Sequence, residues 1–307
     1  MSATIRYGKR QVTVYRTYAQ PLQGITPIPE SAYTGRDNTL FAVDVDVEVF
    51  GDNFLPAYTE GDNSNVVATD TMKNFVMHQA LAYQGSTMEG FLAFLGEQFL
   101  ATYPQMQRLR LTGKEQPFHA ASVPGVGGFS PSNVLFSRGH DDYAVASLDL
   151  ERAGDGVRIV DHRCGQVGLQ LIKVTGSSFT RFVRDDYTTL PERVDRPLFI
   201  YLDVFWKYSN VADLVESDLS RYVAAAQMRD MIGYVFHDFV SQSIQHLVHE
   251  MGTRILARFP QLAEISFEAQ NRLWDTVAVS ETDERIKVYS DPRPPYGSIG
   301  LTLTRED

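Results

Sequence analysis

The sequence predicts an α+β fold of two similar halves, residues 1–150 and 151–307, each an antiparallel four-stranded sheet with two helices on one face. Two observations predict it. The element order strand-strand-helix-helix-strand-strand occurs twice along the chain. In the first half, Phe41, Val43, Val45, Val47 and Val49 alternate with Asp44, Asp46 and Glu48, as in a sheet with one wet face. The duplication lies in the element order, not in visible residue identity.

The first strand runs through Gln11-Val12-Thr13-Val14-Tyr15-Arg16, and the second covers 41–49. Two helices follow. From Asp70 to Tyr83, residues Met72, Phe75, Val76, Gln79 and Tyr83 fall on one face at spacings of three and four. Thr69 stands where a β-branched run stops, at the N-cap position of that helix, so orphan backbone amides follow it. The second helix, Thr87 to Thr102, carries the stripe Met88, Phe91, Leu92, Leu95 and Phe99. Ser86 and Glu89 stand at capping-box spacing at its start, and Pro104 follows its end. Strands return around Leu109-Arg110-Leu111 and from Tyr143 to Leu150, and the Pro/Gly-rich segment Pro117 to Pro131 between them reads as a loop.

In the second half, strands are expected from Val157 to Val174, as one strand or a broken pair, and from Pro197 to Trp206. Helices follow from about Val211 to Arg229 and from Gly233 to Arg258, with Leu214, Val215, Phe236, Phe239, Val240, Leu247, Val248 and Met251 as their stripes. The last strands are Ala263 to Phe267, Arg285 to Tyr289 and one near Ile299 to Leu303. Open sheets of this kind leave edges and a second face uncovered, a problem solved if several copies close into a barrel with helices outside.

With 307 residues, 43% of them hydrophobic, the chain can bury one large core or two ordinary ones. No apolar run approaches the roughly 20 residues needed to span a bilayer. The first residues, Met1 to Tyr7, lack a secretory apolar stretch, and Thr304-Arg305-Glu306-Asp307 is not a peroxisomal address. The lone Cys164 excludes an internal disulfide framework. Together these point to a cytoplasmic protein. The formal charge is −10 and basic residues are scattered, which excludes nucleic acid as a partner. No Walker motif, convincing dinucleotide fingerprint or Cys/His metal spacing is present.

The run Val66-Val67-Ala68-Thr69-Asp70-Thr71-Met72-Lys73-Asn74 resembles the signature of the urate oxidase (uricase) family, a Val-Ala-Thr-Asp with Lys-Asn just downstream. Further segments carry the resemblance in family order. They are Arg6-Tyr7-Gly8-Lys9, then Ser178-Phe179 with Phe182 to Leu190 and Asp195-Arg196, then Ser243-Ile244-Gln245, then Gln270-Asn271. Each is weak alone; the ordered set is specific. The resemblance implies two tandem tunnelling-fold (T-fold) domains per chain and a homotetramer around a central tunnel, with active sites at subunit interfaces. It also implies cofactor-independent oxidation of urate by O2 and water to 5-hydroxyisourate and hydrogen peroxide.

Urate is planar, anionic and ringed with donors and acceptors, so its site must be locally positive within an acidic chain. By resemblance, Phe179 stacks on the purine, Arg196 grips one edge with a guanidinium fork, and Gln245 closes the opposite edge while Ile244 offers its backbone. Thr69 and the amide of Asp70 reach urate held largely by another subunit, Lys9 is the base of the proton relay, and Asn271 holds O2 or water above the ring. Without the resemblance, Phe179 reads as core, Arg196 as an ion pair with Asp195, and Gln245 as a polar position on the helix from Gly233. Lys9 beside Arg10 likewise reads as a solvated pair. A lysine that is to take a proton from Thr69 must first be neutral, a form that burial and a nearby cation favour.

The family pattern places a relay histidine two residues after the Asn; here Leu273 stands there. Either the Lys9–Thr69 dyad and water suffice, the favoured reading, or another residue substitutes, or activity is compromised. His246 and His249 do not align with the missing group and read as solvated helix residues. Two rivals remain: a zinc-dependent T-fold enzyme acting on pterins or purines, and a purine-binding relic without turnover.

Overall fold

Alternation in Leu40–Phe50 is carried through into the structure, where Val45, Val47 and Val49 are fully buried and the intervening acidic residues are half-exposed. Each such valine contributes roughly 1.5 kcal/mol or more of burial. The computed structural model describes residues 4–37, 40–154 and 156–305. The chain divides into two units: Met1–Pro27, Tyr33–Gly165 and Asn210–Val223 form the first, and Ile28–Ala32, Gln166–Ser209 and Ala224–Asp307 the second.

In the first unit, β1 (Arg6–Thr17), β2 (Leu40–Phe50), α1 (Leu55–Thr59), α2 (Thr69–Ala82), α3 (Met88–Thr102) and β3 (Arg108–Glu115) come in chain order. They are followed by β4 (Phe118–Gly125), β5 (Gly128–Arg138), β6 (Tyr143–Ala153) and β7 (Gly156–Lys173), which passes into the second unit after Gly165. The sheet order is β1-β2-β3-β6-β7, with β1–β2, β2–β3 and β3–β6 antiparallel. α2 packs on β1, and α3 on β3 and β6. On the face away from the helices, charges are matched across strands. Glu48 meets Arg6 and Arg10, and the buried Asp149 takes Arg108 and Arg110.

Two expectations change here. Thr87, not Ser86, caps α3, accepting a 3.1 Å hydrogen bond from the Gly90 amide, while Glu89 is buried and accepts from Tyr222 Oη at 2.9 Å. The segment Pro117 to Pro131 is no loop: β4 and β5 form a hairpin, turning at Gly127 (φ +99°) with Gly125 opposite Gly128. Pro124 and Pro131 are tolerated because this two-stranded ribbon has free edges.

The helix expected from Val211 to Arg229 also divides. Its start, α4 (Ala212–Val215) and a 3₁₀ turn at Leu219–Arg221, belongs to the first unit. The break falls where Glu216 turns extended and the Asp218 side chain accepts from the Ser220 amide, starting the new turn.

In the second unit, β7 pairs with β8 (Leu198–Tyr208), followed by α5 (Ala225–Asp238), α6 (Ile244–Arg258), β9 (Leu262–Leu273), β10 (Thr276–Val279), β11 (Lys287–Tyr289) and β12 (Arg293–Thr304). The sheet order is β7-β8-β9-β12, with β8–β9 and β9–β12 antiparallel. β10 and β11 form a separate small ribbon. α6 buries Ile244, Leu247, Val248, Met251 and Ile255 at helical spacing and packs on β9 and β12. The helix expected from Gly233 to Arg258 is in fact interrupted at 239–243. There Ser241 pairs with Ser177 through a β-bridge, and Ser243 Oγ accepts the His246 amide at 3.1 Å to cap α6. β7 is one continuous strand, which decides between the two readings of Val157 to Val174.

Candidate active site

In the first unit, Lys9 pairs with Val47, whose side chain is fully buried under the helices, so Lys9 projects toward α2. Gly8 allows the strands to meet closely there, since a Cβ on it would lie 1.8 Å from the Val47 carbonyl oxygen. A bulge follows at Arg10–Gln11, with Gln11 at φ +56° and its amide bonded to Asp46 Oδ1 at 2.7 Å. Beside Lys9, Tyr7 packs edge-on against Phe54 at 5.0 Å and its hydroxyl accepts the Val67 amide at 3.2 Å.

That bond holds the approach to α2. The N-cap of α2 is Ala68, not Thr69: Ala68 has φ −56° and ψ 138°, and its carbonyl accepts the Met72 amide. Thr69 is therefore the first helical residue. Alanine has no side-chain acceptor, so Ala68 gives the first-turn amides no side-chain cap. Thr69 is half-buried and Asp70 exposed. The Asp70 carboxylate accepts from Lys73 Nζ at 2.6 Å and Asn74 Nδ2 at 3.2 Å. Lys73 above all, and more weakly Asn74 and the charge of Lys9, hold that carboxyl below the usual range.

In the second unit, backbone hydrogen bonds join the Ser178-Phe179 run to the stretch 193–196 and to Ser241, two residues before the Ser243-Ile244-Gln245 segment. Phe179 exchanges both bonds with Arg193, the Arg196 amide donates to the Ser177 carbonyl at 2.8 Å, and the Ser178 amide donates to the Ser241 carbonyl at 2.8 Å. Ser178 Oγ adds a bond to Gln242 Oε1 at 3.1 Å. Lys173 Nζ donates to the carbonyls of Phe236, His237 and Phe239, closing the end of α5 and fixing the turn into α6.

Phe179 stacks on Phe182, with ring centres 4.9 Å apart and planes 12° apart, and the Arg196 guanidinium lies 5.4 Å from the Phe179 ring centre. Asp195 does not pair with Arg196. Its carboxylate takes Thr175 Oγ1 at 2.6 Å and the Gly176 amide at 2.7 Å. Among the described residues the Arg196 side chain has no ion-pair or hydrogen-bond partner, and its Nε is buried. Burial, and then the neighbouring Arg193, push this guanidinium below its usual pKa. Such a cation is set to receive an anion.

Gln245 is the second residue of α6, exposed in its first turn rather than midway along a longer helix, and the neighbouring Ile244 side chain is buried. His246 and His249 are exposed, and His246 Nδ1 accepts the Gln242 amide at 3.4 Å. Asn271 is half-buried on β9 between Ile200 and Gly297, on the face that carries the buried Phe267 and Ala269. Leu273 pairs with Arg293 at the end of β9; its side chain lies outside the described residues.

Lys9, Thr69 and Asp70 thus share one unit, and Phe179, Arg196, Ile244, Gln245 and Asn271 the other. Reasoning from sequence missed Tyr7 as an anchor, although it lies inside a motif segment, and missed Lys173, for which no local signal exists. A recess on the opposite face of the second sheet, lined by Tyr201, Asp203, Glu268, Gln270 and Ser298, is acidic and unsuited to an anion. Among the described residues no three His, Cys, Asp or Glu side chains converge as a metal-binding group.

The fold is that of an α+β protein, and Arg196 beside Phe179 gives it a candidate anion site. The Uricase family model matches residues 5–147 and 162–300, and the chain belongs to that family. It is 48% identical to the Bacillus subtilis "Uric acid degradation bifunctional protein PucL" over 100% of this chain but 62% of that protein's length. It is 48% identical to the Halalkalicoccus jeotgali uricase, covering 99% of both chains. The crystal structure of Bacillus sp. TB-90 urate oxidase superposes with a TM-score of 0.94 at 46% identity, over 98% of this chain and 100% of that one.

Proposed function

We propose that this chain oxidises urate with O2 and water to 5-hydroxyisourate and hydrogen peroxide, without a cofactor. The observation that carries the reading is Arg196, a half-buried guanidinium without an acidic partner among the described residues, beside the ring of Phe179. Phe179 offers a face to the purine, Arg196 a bidentate cation to one edge, and Gln245 with the Ile244 backbone donors and acceptors to the other. Thr69 and the Asp70 amide present the uncapped helix terminus, and Asn271 holds O2 or water. Thr69 passes a urate proton to Lys9. The electron-rich dianion then reduces O2 to a peroxide at the ring carbon, and water displaces hydrogen peroxide.

The assembly proposed is a homotetramer of tandem T-fold domains, residues 1–150 and 151–307, with urate held between subunits. Two features support it. β1 and β12 are strands with one unpaired edge, which a neighbouring copy can cover. The relay residues and the ring-gripping residues also belong to different units, as expected if a site is completed by another subunit. Among the described residues no helix is long and apolar enough to cross a membrane. The proposed location is the cytoplasm.

The test is urate consumption with simultaneous O2 uptake by chelator-treated protein, with Thr69→Ala as control. Matched loss of both, abolished in the variant, is the expected result. A folded tetramer that binds a urate analogue yet consumes no O2 would instead support the second reading, a binding protein, which Leu273 at the relay position favours.

A further inference from the structure

Lys73 lies one turn along α2 from Asp70, and Asn74 lies beside it. Their bonds of 2.6 Å and 3.2 Å occupy both Asp70 carboxylate oxygens and hold the group on the flank of the helix. This matters because α2 packs on β1 and the Asp70 charge is within electrostatic reach of Lys9. A carboxylate beside a lysine favours the ammonium form, which cannot accept a proton. The other nearby acids face away: Glu48 and Asp46 occupy the opposite face of β2, where Glu48 meets Arg6 and Arg10 and Asp46 takes the Gln11 amide. On Lys9's own face of β1 stands Tyr7, bonded to Val67, and from α2 come Asp70 and Lys73.

We propose that Lys73 is a positioning residue for the proton-accepting Lys9: by holding and neutralising the Asp70 carboxylate, it leaves Lys9 without an acidic partner. The inference rests on the urate-oxidising reading and assigns a task to the Lys-Asn end of the motif.

The experiment is the pH profile of kcat for urate oxidation in the tetramer, for wild type, Lys73→Met, Asp70→Asn and the double variant, with thermal melts to establish folding. Lys73→Met exposes Lys9 to the bare carboxylate, so the ascending limb should move to higher pH. Asp70→Asn keeps the backbone amide and leaves Lys73 uncompensated, so the limb should move down. In the double variant neither charge acts and the limb should return near its wild-type position. Lys73→Arg keeps the pair and should keep the limb.

A Lys73→Met limb that stays in place while activity falls would overturn the proposal, as would an equal shift in the Asp70→Asn background. If Lys73→Met does not fold, Asp70→Asn decides alone: an unmoved or raised limb overturns it. A wild-type protein without urate-dependent O2 uptake would overturn the parent reading instead.

Discussion

The Tyr7 hydroxyl accepts the Val67 amide at 3.2 Å, tying the strand that carries Lys9 to the chain entering the helix that begins at Thr69. Two residues that reasoning from sequence pairs for chemistry, 60 positions apart, are thereby held to a common frame. Tyr7→Phe keeps the ring against Phe54 but strands a buried amide, which costs roughly 1–2 kcal/mol. The expected outcome is a lowered Tm and a several-fold fall in kcat with little change in KM. An unchanged kcat would show that packing of α2 on β1 alone places Thr69.

The Arg196 side chain has no ion-pair or hydrogen-bond partner among the described residues, so its loss should separate activity from stability. Arg196→Met removes a charge-assisted fork, and KM for urate should rise about 10- to 100-fold. Arg196→Lys should recover only part of this, because an ammonium cannot bond in the fork geometry. Tm should hold or rise in Arg196→Met, since a half-buried cation without a counter-ion costs stability. A clear drop in Tm would mean that the guanidinium serves the fold.

Glu89 offers a pH test of stability. Burial raises its pKa above 4.5, only partly offset by hydrogen bonds from its own amide and Tyr222. The unfolded chain releases this proton near 4.5, whereas the folded chain retains it to higher pH. Stability from this group is therefore complete below 4.5 and is lost as pH rises through the folded value. Glu89→Gln, which can still accept from Tyr222, should raise Tm by a few degrees at pH 8, an advantage that shrinks toward pH 4. Equal Tm differences at both pH values would refute this.

Leu273 cannot relay protons. Leu273→His should raise the turnover of urate or shift its pH optimum, read in steady-state kinetics across pH. No change in either would show that the relay is complete without that residue.

The motif residues, the alternation of β2 and the stripes of α2, α3 and α6 are legible in the sequence because each is written at spacings of two to four residues. Local period does not report what a distant partner will do. Ser241 leaves the expected helix because it pairs with Ser177, 64 residues away, and this puts Gln245 in a first turn instead of mid-helix. Lys173 stabilises the end of α5 through carbonyls 63 to 66 residues on. Tyr222 carries its segment into the first unit by reaching Glu89, 133 residues back. By itself, the sequence determined which segments carry the family resemblance and which faces are apolar. Tertiary structure decided where helices stop, that 118–138 is a hairpin, and that Arg196 has no acidic partner among the described residues, because those outcomes depend on which donors and acceptors packing brings within 3 Å.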